Sequence, residues 1–361
     1  MSRVNQERVN RVLQRMAKDN VEQIIITSPV SMRYLTGEYI DSSWERCGAL
    51  YLNNRGNITA VINQLQKYIQ IEGANVIHYH DTEDPIAILA KQVLPGKLGV
   101  DKQWPARYIL HLMELCPNNP LINGSPYMDM TRMVKEPEEQ EKLRLSSAMN
   151  DRVVAKSIQA IQEGLSEVDL AEKVNEFFAA EGAAVRNLCL VQFGENCAIP
   201  HHGAAKDVFL KPGDNVLFDI GKNLNGYYSD MTRTVVYKEA TDFQKEIYDI
   251  VLQANLAAID AVKAGVRACD VDAAARDIIT KAGYGEYFTH RTGHNIGIEV
   301  HEWPDIAATN EMPLEAGMCF SIEPGIYIPG KIGVRIEDLV IVTENGCENL
   351  NHYTKEFQVI K

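Results

Sequence analysis

Chemistry is suggested first by acids set inside apolar strands. Asp219 sits in the middle of VLFDI, and Asp230 opens DMTRTVV, with the turn-forming Asn223, Leu224, Asn225 and Gly226 between them. A hairpin centred between Leu224 and Asn225 places the two aspartates opposite each other on one face, with Cβ atoms roughly 5 Å apart. Carboxylates that close repel each other and lose hydration, and a bound cation removes both problems. The plainer alternative is a solvent-exposed hairpin edge with two unrelated acids. Further along, His294 lies among glycines in TGHNIG, His301 follows seven residues on, Glu323 ends an apolar run before Pro324, and Glu337 sits in GVRIEDLVIV with Arg335 on the same face at period two. Taken singly each is weak, since a lone Glu in a strand is commonly an edge residue and a lone His a satisfied core residue. Together, four carboxylates and one imidazole make a hard, oxygen-rich set. It suits two divalent ions of the Mn, Co, Fe or Zn kind better than one tetrahedral zinc. The formal charge of −4 on Asp219, Asp230, Glu323 and Glu337 is what two such ions balance.

The elements that must hold these residues belong to the second of two expected domains. A chain of 361 residues is long enough for two cores. Residues 1–122 alternate helical and strand patterns, which predicts an α/β domain. Val9, Val12, Leu13 and Met16 form a helical stripe, and strands are expected at Ile24–Thr27, Gly48–Leu52, Ile58–Ile62, Val76–Tyr79 and Leu98–Val100. Helical spacing is read near 63–72, 84–94 and 105–115. His78 and His80 alternate on a strand without carboxylates spaced to help them bind a metal. Residues 123–136, with Gly124 and Pro126, are expected to link the domains. Pro137 then opens a long helix with acids in its first turn.

Residues 137–361 carry an internal repeat at an offset of 101: Gly164 aligns with Gly265, Asp169 with Asp270, and Gly182 with Gly283, each copy reading helix, Gly turn, helix, Gly, strand. Chance likeness between amphipathic helices is the competing explanation. Thr241 and Gln244 form a capping box that opens the second copy, so the hairpin with both aspartates falls between the copies.

The net charge of −13 speaks against nucleic acid or an anionic membrane as partner. Seven scattered cysteines without C-x-x-C predict reduced thiols and a cytoplasmic setting. The N-terminal amphipathic helix has no apolar signal-peptide core, and no run reaches the ~20 apolar residues of a membrane span.

The ordered motifs FDIG, SDMTRT, TGHNIG, SIEPG and RIED resemble the metallopeptidases of the prolidase, aminopeptidase P and methionine aminopeptidase family. The resemblance is close over about 137–361 and looser before it, and GMCFSIEPGIYIPGKIGVRIED is most similar to bacterial Xaa-Pro dipeptidases. It implies an α+β pita-bread catalytic domain with internal pseudo-symmetry behind the α/β N-terminal domain. It implies that Asp219, Asp230, His294, Glu323 and Glu337 hold two divalent ions, Mn before Co or Zn, with Asp230 and Glu337 bridging. A hydroxide held between the ions would cut the bond before proline. His201, or less readily His202, and His301 would contact substrate and oxyanion, Glu323 would carry the water proton to the leaving nitrogen, and Arg335 would orient Asp219 or a bridging carboxylate. A pair of solvated loop histidines and an ordinary cross-strand ion pair are the alternatives for His201/His202 and Arg335. By the same resemblance the chain is a cytoplasmic homodimer acting on Xaa-Pro dipeptides or proline-containing peptides, and Trp44 and Arg46 would reach a partner's site. A core Trp with a solvated Arg fits those two equally well.

Dipeptidase action is expected, with aminopeptidase P action on longer peptides as the alternative and a non-peptidase relative of the same fold behind both. Two departures from the family pattern stand out. Asn295 follows His294 where relatives carry Gly, and Asp305 occupies a position where some prolidases place a base.

Overall fold

The computed structural model describes residues 2–184 and 189–361. The chain divides into two compact units, Met1–Arg132 and Met133–Lys361.

The first unit is built on a six-stranded mixed sheet ordered Asn75–Tyr79, Ile58–Asn63, Ala49–Asn53, Gln23–Ile26, Leu98–Val100 and Leu121–Asn123. Gln23–Ile26 is buried at every position, as a strand covered on both faces must be. Five predicted strands appear within a residue of their expected ends. The helical spacing of 84–94 and 105–115 shortens to Pro85–Ala90 and Ala106–Leu115. The stretch 63–72 is not a helix: it holds a 3-10 turn at Gln64–Gln66 and the short strand Ile71–Glu72. The expected linker 123–136 is largely occupied by the helix Ser125–Met133. Pro126 is no breaker there, because it falls in the first turn, where the missing N–H has no partner to lose.

In the second unit, Pro137–Gln159 and Glu167–Ala180 form one helix pair, and Asp242–Ala261 and Ala268–Lys281 the other. Pro137 lies in the first turn with a Glu136/Glu139 capping box, and the Thr241/Gln244 box opens the second pair. The repeat is real at the level of elements. Glu167–Ala180 displaced by 101 residues falls on Ala268–Lys281, and Gly164, Gly265, Gly182 and Gly283 all have φ between 82° and 89°. Beneath the first pair lies a four-stranded sheet ordered Val359–Ile360, Met231–Tyr237, Asn215–Ile220 and Leu190–Phe193. Leu188, expected to start the last of these, lies outside the described residues. The second half has a five-stranded sheet ordered Glu302–Ile306, Gly293–Asn295, Cys319–Ile322, Asp338–Val342 and Cys347–Asn349, with Gly325–Ile328 and Ile332–Arg335 as a separate hairpin.

Alternation along Asn215–Ile220 decides where its acid points. Val216, Phe218 and Ile220 join a core with Val153, Leu170, Val174 and Phe178 from the first helix pair. Asp219 is therefore turned to the opposite face of the sheet. Emptying the fully buried Phe218 position with Ala would cost about 3–5 kcal/mol. All seven cysteines are free thiols. No helix among the described residues is long and apolar enough to cross a membrane.

Candidate active site

The hairpin carrying the aspartates is real, but its register differs from the expected one by two residues. Asp219 pairs with Thr232, and Asn223–Leu224 pairs with Tyr227–Tyr228. The turn is thus Asn225–Gly226, both at positive φ (54° and 93°), the two-residue turn that matches strand twist. Asp230 sits diagonally across from Asp219 rather than opposite it. Because the shift is even, both acids keep the same face. The close approach is made at Gly221, where a Cβ would lie 2.0 Å from the Ser229 carbonyl.

The second half brings the remaining candidates to the same place. His294 lies on Gly293–Asn295, its N–H donating to Ser321 Oγ at 3.0 Å. Glu323 directly follows Cys319–Ile322; its N–H donates to the Thr292 carbonyl at 2.8 Å, and Ser321 Oγ donates to its Oε1 at 3.2 Å. Glu337 lies between Ile332–Arg335 and Asp338–Val342, with its N–H on the Thr232 carbonyl and its Oε2 accepting from Thr232 Oγ1 at 2.7 Å. Asp230, His294 and Glu337 offer ligand atoms that all lie within 4.8 Å of one another. Asp219 and Glu323 line the same cavity, whose volume is about 710 Å³.

The electrostatics of this cluster call for a cation. Burial, then the Asp219 and Glu323 charges, pushes the Asp230 carboxyl well up. Burial, then Asp230 and Glu323, does the same to Glu337. Burial raises Glu323 to about 7 against the opposing pull of Arg335. Burial lowers His294 to about 3, with His301 adding to the effect. His294 Nδ1 is 3.2 Å from the Asn295 carbonyl, which puts the ring proton on Nδ1. The Nε2 lone pair then faces Glu323 Oε1 at 3.5 Å and Asp230 Oδ2 at 3.7 Å. Carboxylates and an imidazole lone pair converging this closely are a donor set that suits divalent ions.

Arg335 is buried and ion-pairs with Asp219, while its Nε donates to Thr232 Oγ1 and its Nη1 to the Tyr327 hydroxyl at 2.7 Å. His201 and His301 line the cavity, and the His301 ring centroid is 4.3 Å from that of His294. Partial burial, then Arg291 and His201, lowers the His301 pKa. His202 is not among the lining residues, its Nδ1 being held against the Gly203 carbonyl. Asn295 pairs within the sheet, where the register with Glu302–Ile306 shifts between His294 and Asn295, and its amide donates to the Trp303 carbonyl at 2.8 Å. Asp305 does not stand as a lone acid, since Arg291 Nη1 meets its Oδ1 at 3.0 Å. Trp44 and Arg46 belong to the other unit, where Trp44 is 73% exposed and Arg46 is paired with Asp81.

Sequence reasoning passed over several lining residues. His290 Nε2 lies 2.8 Å from the Tyr327 hydroxyl, and its Nδ1 2.7 Å from the Arg291 carbonyl. Burial, then Arg335, holds His290 near 4, so the ring is neutral. Asp219, Arg335, Tyr327 and His290 therefore form one continuous chain of contacts. Thr232 bridges Arg335 and Glu337, and Arg291 and Lys222 add cations to the wall. His290 stands four residues before His294 in HRTGH, just ahead of the strand; for Tyr327 and Arg291 nothing in the spacing marked them out.

Residues 141–344 match metallopeptidase family M24, and residues 8–134 match the creatinase/prolidase N-terminal domain. The chain is 38% identical to an Xaa-Pro dipeptidase of Lactobacillus helveticus, over 96% of this chain and 98% of that protein. Among solved structures it is similar to dipeptidase PepE from Mycobacterium ulcerans, with TM-score 0.91, 37% identity, and 99% and 98% of the two chains covered. A prolidase from Thermococcus sibiricus superposes with TM-score 0.92 at 35% identity, with 98% of each chain covered.

Proposed function

The chain belongs to metallopeptidase family M24 and is a peptidase, and on that footing we propose that it is an Xaa-Pro dipeptidase working with two divalent ions, Mn2+ the activating one. The observation that carries this is the convergence of Asp230, His294 and Glu337 within 4.8 Å, beside Asp219 and Glu323, in a cavity that His201, His301 and Arg291 also line. Asp219, Asp230, His294, Glu323 and Glu337 would hold the ions, Asp230 and Glu337 being the carboxylates proposed to be shared. Bound there, divalent ions supply Lewis acidity toward the scissile carbonyl and acidify a water.

The chain's own groups do the rest. Glu323 takes the proton of the attacking water and passes it to the departing proline nitrogen. His301 and His201 donate to the oxygen on which negative charge develops. Arg335 keeps Asp219 oriented, and Thr232 does the same for Glu337. Arg291, on the cavity wall, takes the free carboxylate of a C-terminal proline.

We place the enzyme in the cytoplasm as a homodimer. Seven unpaired cysteines suit a reducing compartment, and an apolar Trp44 left 73% exposed suits a residue that meets a partner subunit. Aminopeptidase P activity is the second reading, favoured by one observation: Asp305 spends part of the charge of Arg291. Hydrolysis of Ala-Pro beside Ala-Pro-Gly by the Mn2+-loaded enzyme separates the two. Faster cleavage of Ala-Pro is expected, and much faster cleavage of Ala-Pro-Gly would replace the dipeptidase reading with the second.

A further inference from the structure

Glu323 and Glu337 come from different strands, yet one side chain behind the site grips the backbone at both. Asn255 is wholly buried on the Asp242–Ala261 helix. Its Nδ2 donates to the carbonyl of Ile322 at 3.0 Å and to that of Ile336 at 3.2 Å, the residues immediately before Glu323 and Glu337. Its Oδ1 accepts from Lys355 Nζ at 2.9 Å. The same ammonium meets Asp338 Oδ2, one residue past Glu337. Arg233, 1% exposed, takes Asp338 Oδ1 at 2.7 Å and donates to the carbonyls of Glu337 and Thr232 at 2.6 and 2.9 Å. The peptide units on both sides of Glu337 are thus fixed by side chains that never enter the cavity.

The other half offers a comparison within the same chain. Asn150, on the matching first helix, donates to the Ile220 carbonyl at 2.7 Å, next to Asp219, but its Oδ1 has no partner among the described residues. Only the second half's asparagine is locked by a lysine. A buried ion pair is by itself weak evidence of a stabilising role. Buried ionic groups carry a large desolvation cost, and apolar replacements of similar volume are often as stable.

We propose that Asn255, locked by Lys355, is a positioning residue of the metal centre, setting the separation of Glu323 and Glu337 before any ion enters. The inference rests on the metallopeptidase reading above. Removing the lock lets the two carboxylates drift apart, so affinity for the ions falls while the fold persists.

The test is titration of metal-free protein with Mn2+ alone by calorimetry, beside thermal unfolding of the same metal-free samples. Lys355→Met and Asn255→Leu are each expected to weaken Mn2+ binding about 10–100-fold, the range found for groups that orient metal ligands. Lys355→Arg is expected to restore most of the affinity. Folded Lys355→Met protein that binds Mn2+ as tightly as wild type overturns the proposal, whether or not Asn255→Leu folds. So does a loss of affinity that merely follows a fall in metal-free stability and is not rescued by Lys355→Arg. Wild-type protein that takes up no Mn2+ would sink the metallopeptidase reading first, and this proposal with it.

Discussion

Replacing Arg291 by Leu keeps bulk at the cavity wall and removes the charge proposed to hold the proline carboxylate. A hydrogen bond to a charged group is worth about 1.5–3 kcal/mol. Arg291 and Asp305 are 36% and 48% exposed, so solvent screening moves the contact to the low end, about 1.5 kcal/mol. That is about a tenfold rise in KM. The contact is the same in ground and transition states, so kcat should stay within about a factor of two. Steady-state kinetics on Ala-Pro and on its amide provide the check. The amide lacks the carboxylate and should be indifferent to the change. Asp305→Asn should act in the opposite sense, lowering KM for Ala-Pro by releasing the guanidinium from its neighbour. An unchanged KM for Ala-Pro, or an equal loss with the amide, would refute the reasoning and move the carboxylate contact elsewhere.

Elemental analysis of Mn2+-reconstituted protein should find two ions per chain; one or none would remove the dinuclear scheme. Asp230→Asn keeps the shape of a proposed shared ligand without its charge, so it should lose one ion and orders of magnitude in turnover while circular dichroism stays native. Near-wild-type activity without excess metal would show that Asp230 is not shared. His301→Ala should lower kcat by about 100-fold, the cost of one oxyanion donor, with metal content unchanged; loss of metal together with activity would make His301 a ligand instead.

Much of the candidate site could be read before any coordinates, because acids inside apolar strands are conspicuous and their order along the chain is distinctive. The geometry among them was less legible. Asn225–Gly226 fixes the hairpin through two positive φ values, and a four-residue turn cluster does not reveal which pair sits at the tip. The even error spared the facing of Asp219 and Asp230; an odd one would have turned one of them into the helix layer. Pro126 misled because a proline reads as punctuation unless the helix start beside it is already known. The stretch 63–72 has apolar spacing compatible with a helix, but pairing of Ser2–Arg3 with Ile71–Glu72 claims part of it for a strand. Arg233, Asn255 and Lys355 were invisible for a different reason. Arg233 and Asn255 act on backbone carbonyls 67 to 104 positions away, and Lys355 on the side chains of Asn255 and Asp338, and local spacing carries no trace of such partners.

The twofold build of the second unit has a thermodynamic corollary. Asp219 and Asp230 are donated by the sheet of one half, and His294, Glu323 and Glu337 by that of the other. On the proposed ligand set neither half owns a complete coordination sphere, so cation uptake would report on the union of the two and not on the folding of either. A ligand that recognises only the joined state stabilises it by mass action, about 2.7 kcal/mol at a concentration one hundred times its dissociation constant. In that scheme the free energy of ion binding would be held at the seam. A duplicated fold that keeps its donors divided in this way makes its cofactor a mortar between the copies as well as a reagent.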